Sequence, residues 1–103
     1  MNAKEELLRI LSDNNLEIKC ASIELNPDYE DVKEVYDLKL NYTDEEYQKF
    51  IESLNFEYND GFGGQELFGT VWLKDGTWLS RGEYDGSEWW EHNVLPEIPK
   101  ELL

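Results

Sequence analysis

The chain has 103 residues, a length that suits one hydrophobic core, so we expect one domain spanning residues 1–103. Nine Lys and Arg against 24 Asp and Glu give a formal net charge of −15, and the bases are scattered singly along the sequence. These features exclude a basic stripe for direct nucleic-acid binding, oppose attraction to an anionic membrane, and leave no apolar run near the ~20 residues of a spanning helix.

The N-terminal residues and the single cysteine indicate a cytoplasmic location. Residues 1–6 lack the apolar stretch of a secretory signal, and their acids argue against a mitochondrial transit peptide. Cys20 cannot form an internal disulfide, which fits a reducing compartment. Because Cys20 continues the alternation of Leu16 and Ile18, we expect a buried, inert thiol.

The first part of the chain predicts a helix followed by a strand. Residues 3–12 place leucine and isoleucine side chains at helical spacings, with two glutamates in the first turn, where the helix dipole favours negative charge. Residues 16–25 alternate between apolar and polar, which predicts a strand. A bulge is expected near Ala21 and Ser22, where the alternation changes phase.

A second strand and a second helix follow. Residues 26–28 have the composition of a turn, and residues 33–42 then alternate again, so we expect a strand paired with the first. Thr43 and Glu46 have the spacing of a capping box, and apolar residues recur at helical spacing from Tyr47 onwards. The second helix should therefore begin just after Thr43.

The last part of the chain predicts three strands joined by tight turns. Two Asp-Gly pairs, at residues 75–76 and 85–86, have the composition of two-residue type I′ hairpin turns. Residues 94–99 should be an extended tail, and residues 100–103 a closing turn. We therefore expect an α+β domain of order α-β-β-α-β-β-β, in which an antiparallel sheet with a C-terminal meander has two helices packed on one face.

The aromatic residues of the meander form a candidate binding face. Two-residue turns would place Trp72 opposite Leu79 and Trp90 beside Arg81. In that register one face carries the expected core residues Leu67, Val71, Leu73, Trp78, Tyr84 and Trp89. The other face presents the candidate partner-binding residues Phe68, Trp72, Arg81, Glu83, Glu88 and Trp90. Alternatively, the tail or a helix covers that face, and Trp72 and Trp90 belong to the core.

A cluster of acids at the first hairpin forms a second candidate binding surface. Same-face carboxylates on a strand recur at roughly 7 Å, about two phosphate steps along a DNA strand. An acidic surface of this kind could imitate a nucleic-acid backbone, although an ordinary solvated surface has the same composition. The candidate residues are Glu24, Asp28, Glu30, Asp31, Glu34 and Asp37.

The sequence gives little basis for catalysis. His92 is the only histidine, and no residue spacing indicates a catalytic triad, a metal site or a phosphate-binding loop. Carboxylates are so frequent that a glycosidase-like pair carries no information. We therefore predict no catalytic residue, no metal ligand and no cofactor.

Residues 69–99 resemble a segment found in small acidic proteins of tailed bacteriophages. The segment reads Gly-Thr-Val-Trp-Leu-Lys-Asp-Gly-Thr-Trp, then Arg-Gly-Glu-Tyr-Asp-Gly-Ser-Glu-Trp-Trp-Glu-His, and then Pro-Glu-Ile-Pro. The resemblance covers the last third of the chain and implies a phage or prophage setting without catalytic residues.

The leading functional hypothesis is a non-enzymatic phage accessory protein that binds and inhibits a host nucleic-acid-handling protein. A CRISPR effector or another defence nuclease would be such a host protein, and acidic DNA mimicry would contribute to binding. The alternatives are a module that holds a peptide or sugar on the face of Trp72 and Trp90, or a small carboxylate-dependent hydrolase.

Overall fold

Residues 1–26, 33–58 and 64–103 are described in a computed structural model. The helices and strands are α1 (Ala3–Asp13), β1 (Ile18–Leu25), β2 (Glu34–Leu38), α2 (Asp44–Ser53), β3 (Leu67–Leu73), β4 (Trp78–Tyr84) and β5 (Ser87–Asn93). A short 3-10 helix, Lys100–Leu102, follows them. The strands form one antiparallel sheet in the order β2-β1-β3-β4-β5. The predicted fold class, element order and C-terminal meander are confirmed.

Side-chain caps start both helices. The Asn2 side chain accepts a hydrogen bond from the backbone N–H of Glu5 at 3.0 Å, which caps α1. Thr43 and Glu46 form the predicted capping box at the start of α2, with two reciprocal hydrogen bonds of 3.1 Å. Each cap supplies a partner to a backbone N–H that has none inside the helix.

The start of α1 is tied to the segment that follows α2. The backbone N–H of Ala3 donates to the carbonyl of Phe56 at 3.0 Å, and that of Lys4 donates to the carbonyl of Leu54 at 2.9 Å. Leu7 and Leu54 lie in the same buried cluster as the sheet residues. These contacts hold the two helices side by side against one face of the sheet.

We call the sheet surface that packs on the helices the helix face, and the opposite surface the open face. Successive strand residues point to alternate faces. The helix face carries most of the buried core, which includes Ile23, Leu38, Leu67, Val71, Leu73 and Leu79. The helices leave the open face uncovered.

The β1 strand contains a bulge, but not where the sequence predicts it. Ile18 pairs with Leu73 and Cys20 pairs with Trp72, so Lys19 is the extra residue. The bulge shifts the alternation by one position and turns Cys20 out of the core. The predicted burial of Cys20 is therefore wrong, since its thiol is half-buried on the open face.

The β2 strand is shorter than its sequence pattern. The alternation runs to residue 42, but the strand ends at Leu38. Asn41 has a φ of +60°, a left-handed conformation that asparagine tolerates better than most residues, and the chain turns there towards α2. Tyr42 leaves the sheet alternation and donates its hydroxyl to the carbonyl of Ile18.

The two Asp-Gly turns differ from each other. At the second turn Asp85 and Gly86 both have positive φ, as a two-residue type I′ turn requires, and the predicted pairing of β4 with β5 is confirmed. At the first turn only Gly76 has a positive φ, +88°, and the connection contains three residues. The Asp75 carboxylate accepts the backbone N–H of Thr77 at 2.9 Å, which favours this wider turn.

Candidate interaction surface

The wider first turn shifts the register of β3 against β4 by one residue. Trp72 lies opposite Trp78, whereas the sequence predicted Leu79 as its partner. A one-residue shift exchanges the two faces of a strand. The two faces predicted for the meander are therefore wrong in part, because each predicted face combines residues that lie on the helix face with residues that lie on the open face.

The correction divides the predicted aromatic face. Phe68 and Trp72 lie on the open face as predicted, together with Trp78, Tyr84 and Trp89, which the sequence assigned to the core. Four other candidates, Arg81, Glu83, Glu88 and Trp90, belong to the helix side of the sheet. There Trp90 is only 6% exposed and is a core residue. The aromatic residues of the open face are therefore not the set that the sequence predicted.

Aromatic side chains form two exposed areas on the open face. Trp72 is 46% exposed and lies beside Trp78 at one end of the sheet. Trp89 is 38% exposed and lies towards the other end, on the outermost strand β5. Residues 94–99 of the tail leave both tryptophans exposed, and the tail's own Leu95 is also exposed.

The Trp89 indole lies over Gly82 of the neighbouring strand. A Cβ atom at residue 82 would lie 2.4 Å from Nε1 of Trp89, so only glycine leaves room for the ring. The Trp89 Nε1–H donates to the Glu91 carboxylate at 3.0 Å. These two contacts hold the exposed ring flat against the sheet.

A row of polar side chains crosses the open face between the two aromatic areas. Pairing between neighbouring strands aligns one residue from each strand in this row. Its members, from β2 to β5, are Asp37, Ser22, Thr70, Ser80 and Glu91. The face therefore offers hydroxyl groups at its centre and carboxylates at both ends.

A shallow cavity of about 210 Å³ adjoins Trp72. It is lined by Lys19, Cys20, Leu40 and Trp72. The bulge at Lys19 and the turn after β2 bring the first three of these residues beside the ring. The cavity has the dimensions of one apolar side chain of a partner, and sequence periodicity could not reveal it because both features interrupt the alternation.

The described part of the predicted acidic cluster is divided between the two faces. Glu24 and Asp37 lie on the open face, where Lys33 makes an ion pair of 3.3 Å with Glu24. Glu34 lies on the helix side, where it accepts the hydroxyl of Tyr36. Three further members of the cluster, Asp28, Glu30 and Asp31, lie outside the described residues.

A buried ionic cluster lies beneath α1. The Arg81 side chain is 3% exposed and contacts a carboxylate on each side, Glu6 at 3.1 Å and Glu88 at 3.0 Å. Its Nη2 also donates to the hydroxyl of Tyr58 at 3.0 Å, and its guanidinium lies 4.7 Å from the ring centre of Trp90. The cluster joins α1, β4 and β5, and we assign it a structural role.

Burial and charge change the ionisation of this cluster. Burial raises the pKa of Tyr58, and its hydrogen bond to Glu6 raises it further. For Arg81, burial alone would lower the pKa, but the charge of Glu6 and the contacts with Tyr58 and Glu88 outweigh it, so the pKa is raised. The arginine therefore stays charged and keeps an ion pair with each carboxylate.

The Glu88 carboxylate accepts three hydrogen bonds. Besides Arg81 it accepts the backbone N–H of Glu66 at 2.6 Å and that of Leu67 at 3.0 Å. Its side chain is completely buried. Glu88 thus anchors the start of β3, and its buried carboxylate is not available for partner contact.

The described ranges contain no group of three or more histidine, cysteine or acidic side chains placed to hold a metal ion. His92 is exposed and its Nε2 lies 2.8 Å from the Thr77 hydroxyl. No helix in the described residues has the length and apolarity needed to cross a membrane.

Comparison with known proteins gives no relative of this chain. No protein family, no curated protein sequence and no solved structure matches it. The similarity of residues 69–99 to phage proteins stays a prediction.

Proposed function

We propose that this chain is a non-enzymatic binding domain that docks its open face on another protein. The exposure of Trp72 and Trp89 on a sheet face that the helices leave bare is the observation that carries the proposal. Exposed aromatic areas of this kind mark interaction sites, and tryptophan is enriched among the residues that dominate binding energy. The cavity beside Trp72 would receive an apolar side chain of the partner.

The partner that best matches the charge of the domain is a protein with a basic surface. The chain carries a net charge of −15, and Asp37 and Glu91 lie at the two ends of the polar row. Opposite charges increase the association rate and disfavour acidic competitors. Nucleic-acid-handling proteins carry basic surfaces, so we propose that the domain covers such a surface and inhibits the protein, as a phage anti-defence protein would.

Acidic imitation of DNA contributes to this binding in our proposal but does not dominate it. Glu24 and Asp37 share the open face with the aromatic residues, whereas Glu34 lies on the opposite side. Two carboxylates beside an aromatic area give charge complementarity at the rim of an interface. The exposed tryptophans supply its apolar centre.

The test is an affinity capture from bacterial lysate in which the wild-type domain is compared with single-site variants. Trp72→Ser removes the principal ring of the open face. Leu95→Ser is the matched control, because it removes an exposed apolar side chain from the tail. Captured proteins are eluted from parallel samples with either salt or double-stranded DNA, and each is identified by mass spectrometry.

We expect a nucleic-acid-binding protein that the wild type and Leu95→Ser retain, that Trp72→Ser loses, and that DNA displaces. Purified, this protein should lose its nuclease or DNA-binding activity when the domain is added. Equal capture by Trp72→Ser would exclude the open face as the interface. Capture that DNA cannot displace would exclude inhibition at the nucleic-acid site.

Sugar binding is the second candidate, and the polar row favours it. The hydroxyl groups of Ser22, Thr70 and Ser80 lie side by side next to the exposed ring of Trp72. An aromatic ring can stack on the apolar face of a sugar while neighbouring hydroxyls form hydrogen bonds with it, which is the arrangement of a saccharide platform. Tryptophan fluorescence of the domain would change saturably with an oligosaccharide, and Trp72→Ser would abolish the change.

Hydrolysis by a carboxylate pair has weaker support. Glu6 and Glu88 are brought together by the fold, but Arg81 lies between them in an ion pair with each, and the Glu88 side chain is completely buried. A general acid or base must come within hydrogen-bond distance of a substrate atom, which a buried carboxylate cannot do. We therefore do not propose a hydrolase.

A further inference from the structure

The outer edge of β2 forms one wall of a groove, and α2 forms the other. The groove has a volume of about 460 Å³. Five consecutive residues, 35–39, line the strand side, and one stripe of α2 lines the other side, namely Glu46, Lys49, Phe50 and Ser53. Because consecutive strand residues point to opposite faces, a cavity lined by all five runs along the backbone edge.

Among the described residues, the hydrogen-bonding pattern of the sheet leaves backbone N–H and C=O groups of β2 without a partner at this edge. The N–H of Leu73 donates to the carbonyl of Thr77 across the β3–β4 turn. The backbone N–H and C=O of its neighbour Trp72 therefore point the other way, towards β1. Hydrogen-bonding sides alternate along antiparallel strands. Continued through β1 to β2, this alternation directs the backbone N–H and C=O groups of Val35 and Asp37 away from the sheet.

The opposite edge of the sheet, β5, is much less accessible. Tyr84 and Ser87 flank the two-residue turn as a hydrogen-bonded pair, so Glu88 and Trp90 direct their backbone groups outwards. A cavity of about 280 Å³ lies beside them, but Glu88 is only 4% exposed and Trp90 is a core residue. Val35 of β2, in contrast, is 50% exposed. The β2 edge is therefore the one that can accept another strand.

We propose that the β2 edge takes an extended segment of a partner protein as a sixth strand of the sheet. An added strand bonds the free backbone groups and presents its side chains alternately to the two faces. On the helix side those side chains would meet Leu38 and Phe50, which favours apolar residues. On the open side they would lie beside Asp37, which favours lysine or arginine.

The occupant of the groove is thus an extended segment of about five residues that alternates between apolar and basic. A second copy of this chain fits less well, because two domains with a charge of −15 each would repel one another. The groove is a surface separate from the aromatic areas of the open face. Its failure as a binding site would leave the proposed function standing, and the reverse also holds.

The test uses a capped peptide, Lys-Val-Lys-Val-Lys, titrated into the isotopically labelled domain and followed by the NMR shifts of the backbone amides. We expect saturable shifts at Val35, Asp37 and the α2 stripe, without shifts at Trp72 or Trp89. Two further peptides carry N-methyl groups at alternate residues, one at the odd positions and the other at the even positions. The peptide whose methyl groups replace the N–H groups that face β2 should bind at least about tenfold more weakly, because it cannot complete the strand pairing. A Glu-Val-Glu-Val-Glu peptide should not bind.

A proline substitution separates strand addition from simple charge attraction. Val35→Pro removes an N–H that faces away from β1, so the sheet itself keeps its hydrogen bonds. We expect this variant to lose about tenfold in affinity for the peptide. Asp37→Asn should weaken binding of the lysine peptide. It should leave unchanged the binding of an analogue in which threonine replaces each lysine.

Several outcomes would overturn the proposal. Equal binding of both N-methylated peptides and the unmodified one would exclude backbone pairing, even if Val35→Pro failed to fold. Shifts confined to β5 or to the open face would place the peptide elsewhere. A dimer in sedimentation analysis that Val35→Pro dissociates would make a second copy the occupant.

Discussion

Arg81 connects parts of the chain that no local pattern could associate. Its guanidinium contacts Glu6 in α1, Glu88 in β5 and Tyr58 after α2, and all of these contacts are buried. Each of the four side chains would lose hydration without a partner inside the fold. Because the four side chains are buried together, each needs the others as hydrogen-bond or ion-pair partners in place of water.

Removing one charge from this cluster should cost stability. Glu88→Gln keeps the shape of the side chain, but all three partners of Glu88 are N–H donors, so the amide NH2 would face a donor in a buried site. We expect the free energy of unfolding to fall by about 3 kcal/mol in urea denaturation. Glu97→Gln in the exposed tail is the control, and an equal, small effect of both changes would contradict the structural role of the cluster.

Tyr36 should make the protein sensitive to alkaline pH. Its pKa is raised to about 12 by burial and by the hydrogen bond to Glu34. The unfolded chain ionises this phenol near pH 10 and the folded protein only near pH 12, so its contribution is complete below pH 10 and is lost between these values.

Tyr36→Phe isolates this effect, because phenylalanine keeps the ring that stacks on Phe56 at 5.3 Å. The free energy of unfolding of the wild type should decline more steeply with pH above about 10 than that of the variant. Parallel pH profiles from urea denaturation would contradict the assigned pKa.

The sequence could identify many of the important residues but assigned only some of them to the correct face. Trp72 and Phe68 were predicted on an exposed face, and the structure places them there. Trp90 and Arg81 were assigned to the same face and are buried instead. The difference arises from a single extra residue in the turn after β3, because alternation carries one shift along the whole strand.

At the scale of elements, the sequence predicted where helices and turns occur better than it predicted the length of each turn. The capping box of α2 depends only on Thr43 and Glu46, so the sequence was sufficient to place the helix start. The two Asp-Gly pairs are identical in sequence, yet Thr77 follows the first and its backbone N–H binds the carboxylate of Asp75. The dipeptide alone could not distinguish the two turns.

The cap of α2 gives a prediction at this scale. Thr43→Ala removes the side-chain acceptor for the N–H of Glu46, and we expect a loss of about 1 kcal/mol in the free energy of unfolding. Thr43→Ser retains the hydroxyl and should lose much less. Thermal denaturation followed by circular dichroism compares the three proteins, and equal losses for alanine and serine would exclude the cap as the cause.

At the scale of the whole molecule, charge opposes folding. A net charge of −15 on 103 residues repels itself most in the folded state, where the charges are closest. Asp13 adds to this cost, because it lies in the last turn of α1, which has no basic residue and where the helix dipole disfavours an acid.

Salt should therefore stabilise the domain. We expect the free energy of unfolding, measured in urea, to rise as sodium chloride increases from about 0.02 M to about 0.3 M, because the screening length shortens. Asp13→Asn should be more stable than the wild type at low salt, and this difference should shrink at high salt. Stability that falls with salt would contradict self-repulsion as the dominant charge effect.

The contact between Glu6 and Arg81 also constrains how the chain is made. The two residues are separated by 75 positions, and Tyr58 and Glu88, which complete the cluster, are distant from α1 as well. During synthesis α1 leaves the ribosome before its ionic partners, which emerge only with β4 and β5. Glu6 stays hydrated until then, so the domain can reach its final packing only after β5 has left the ribosome.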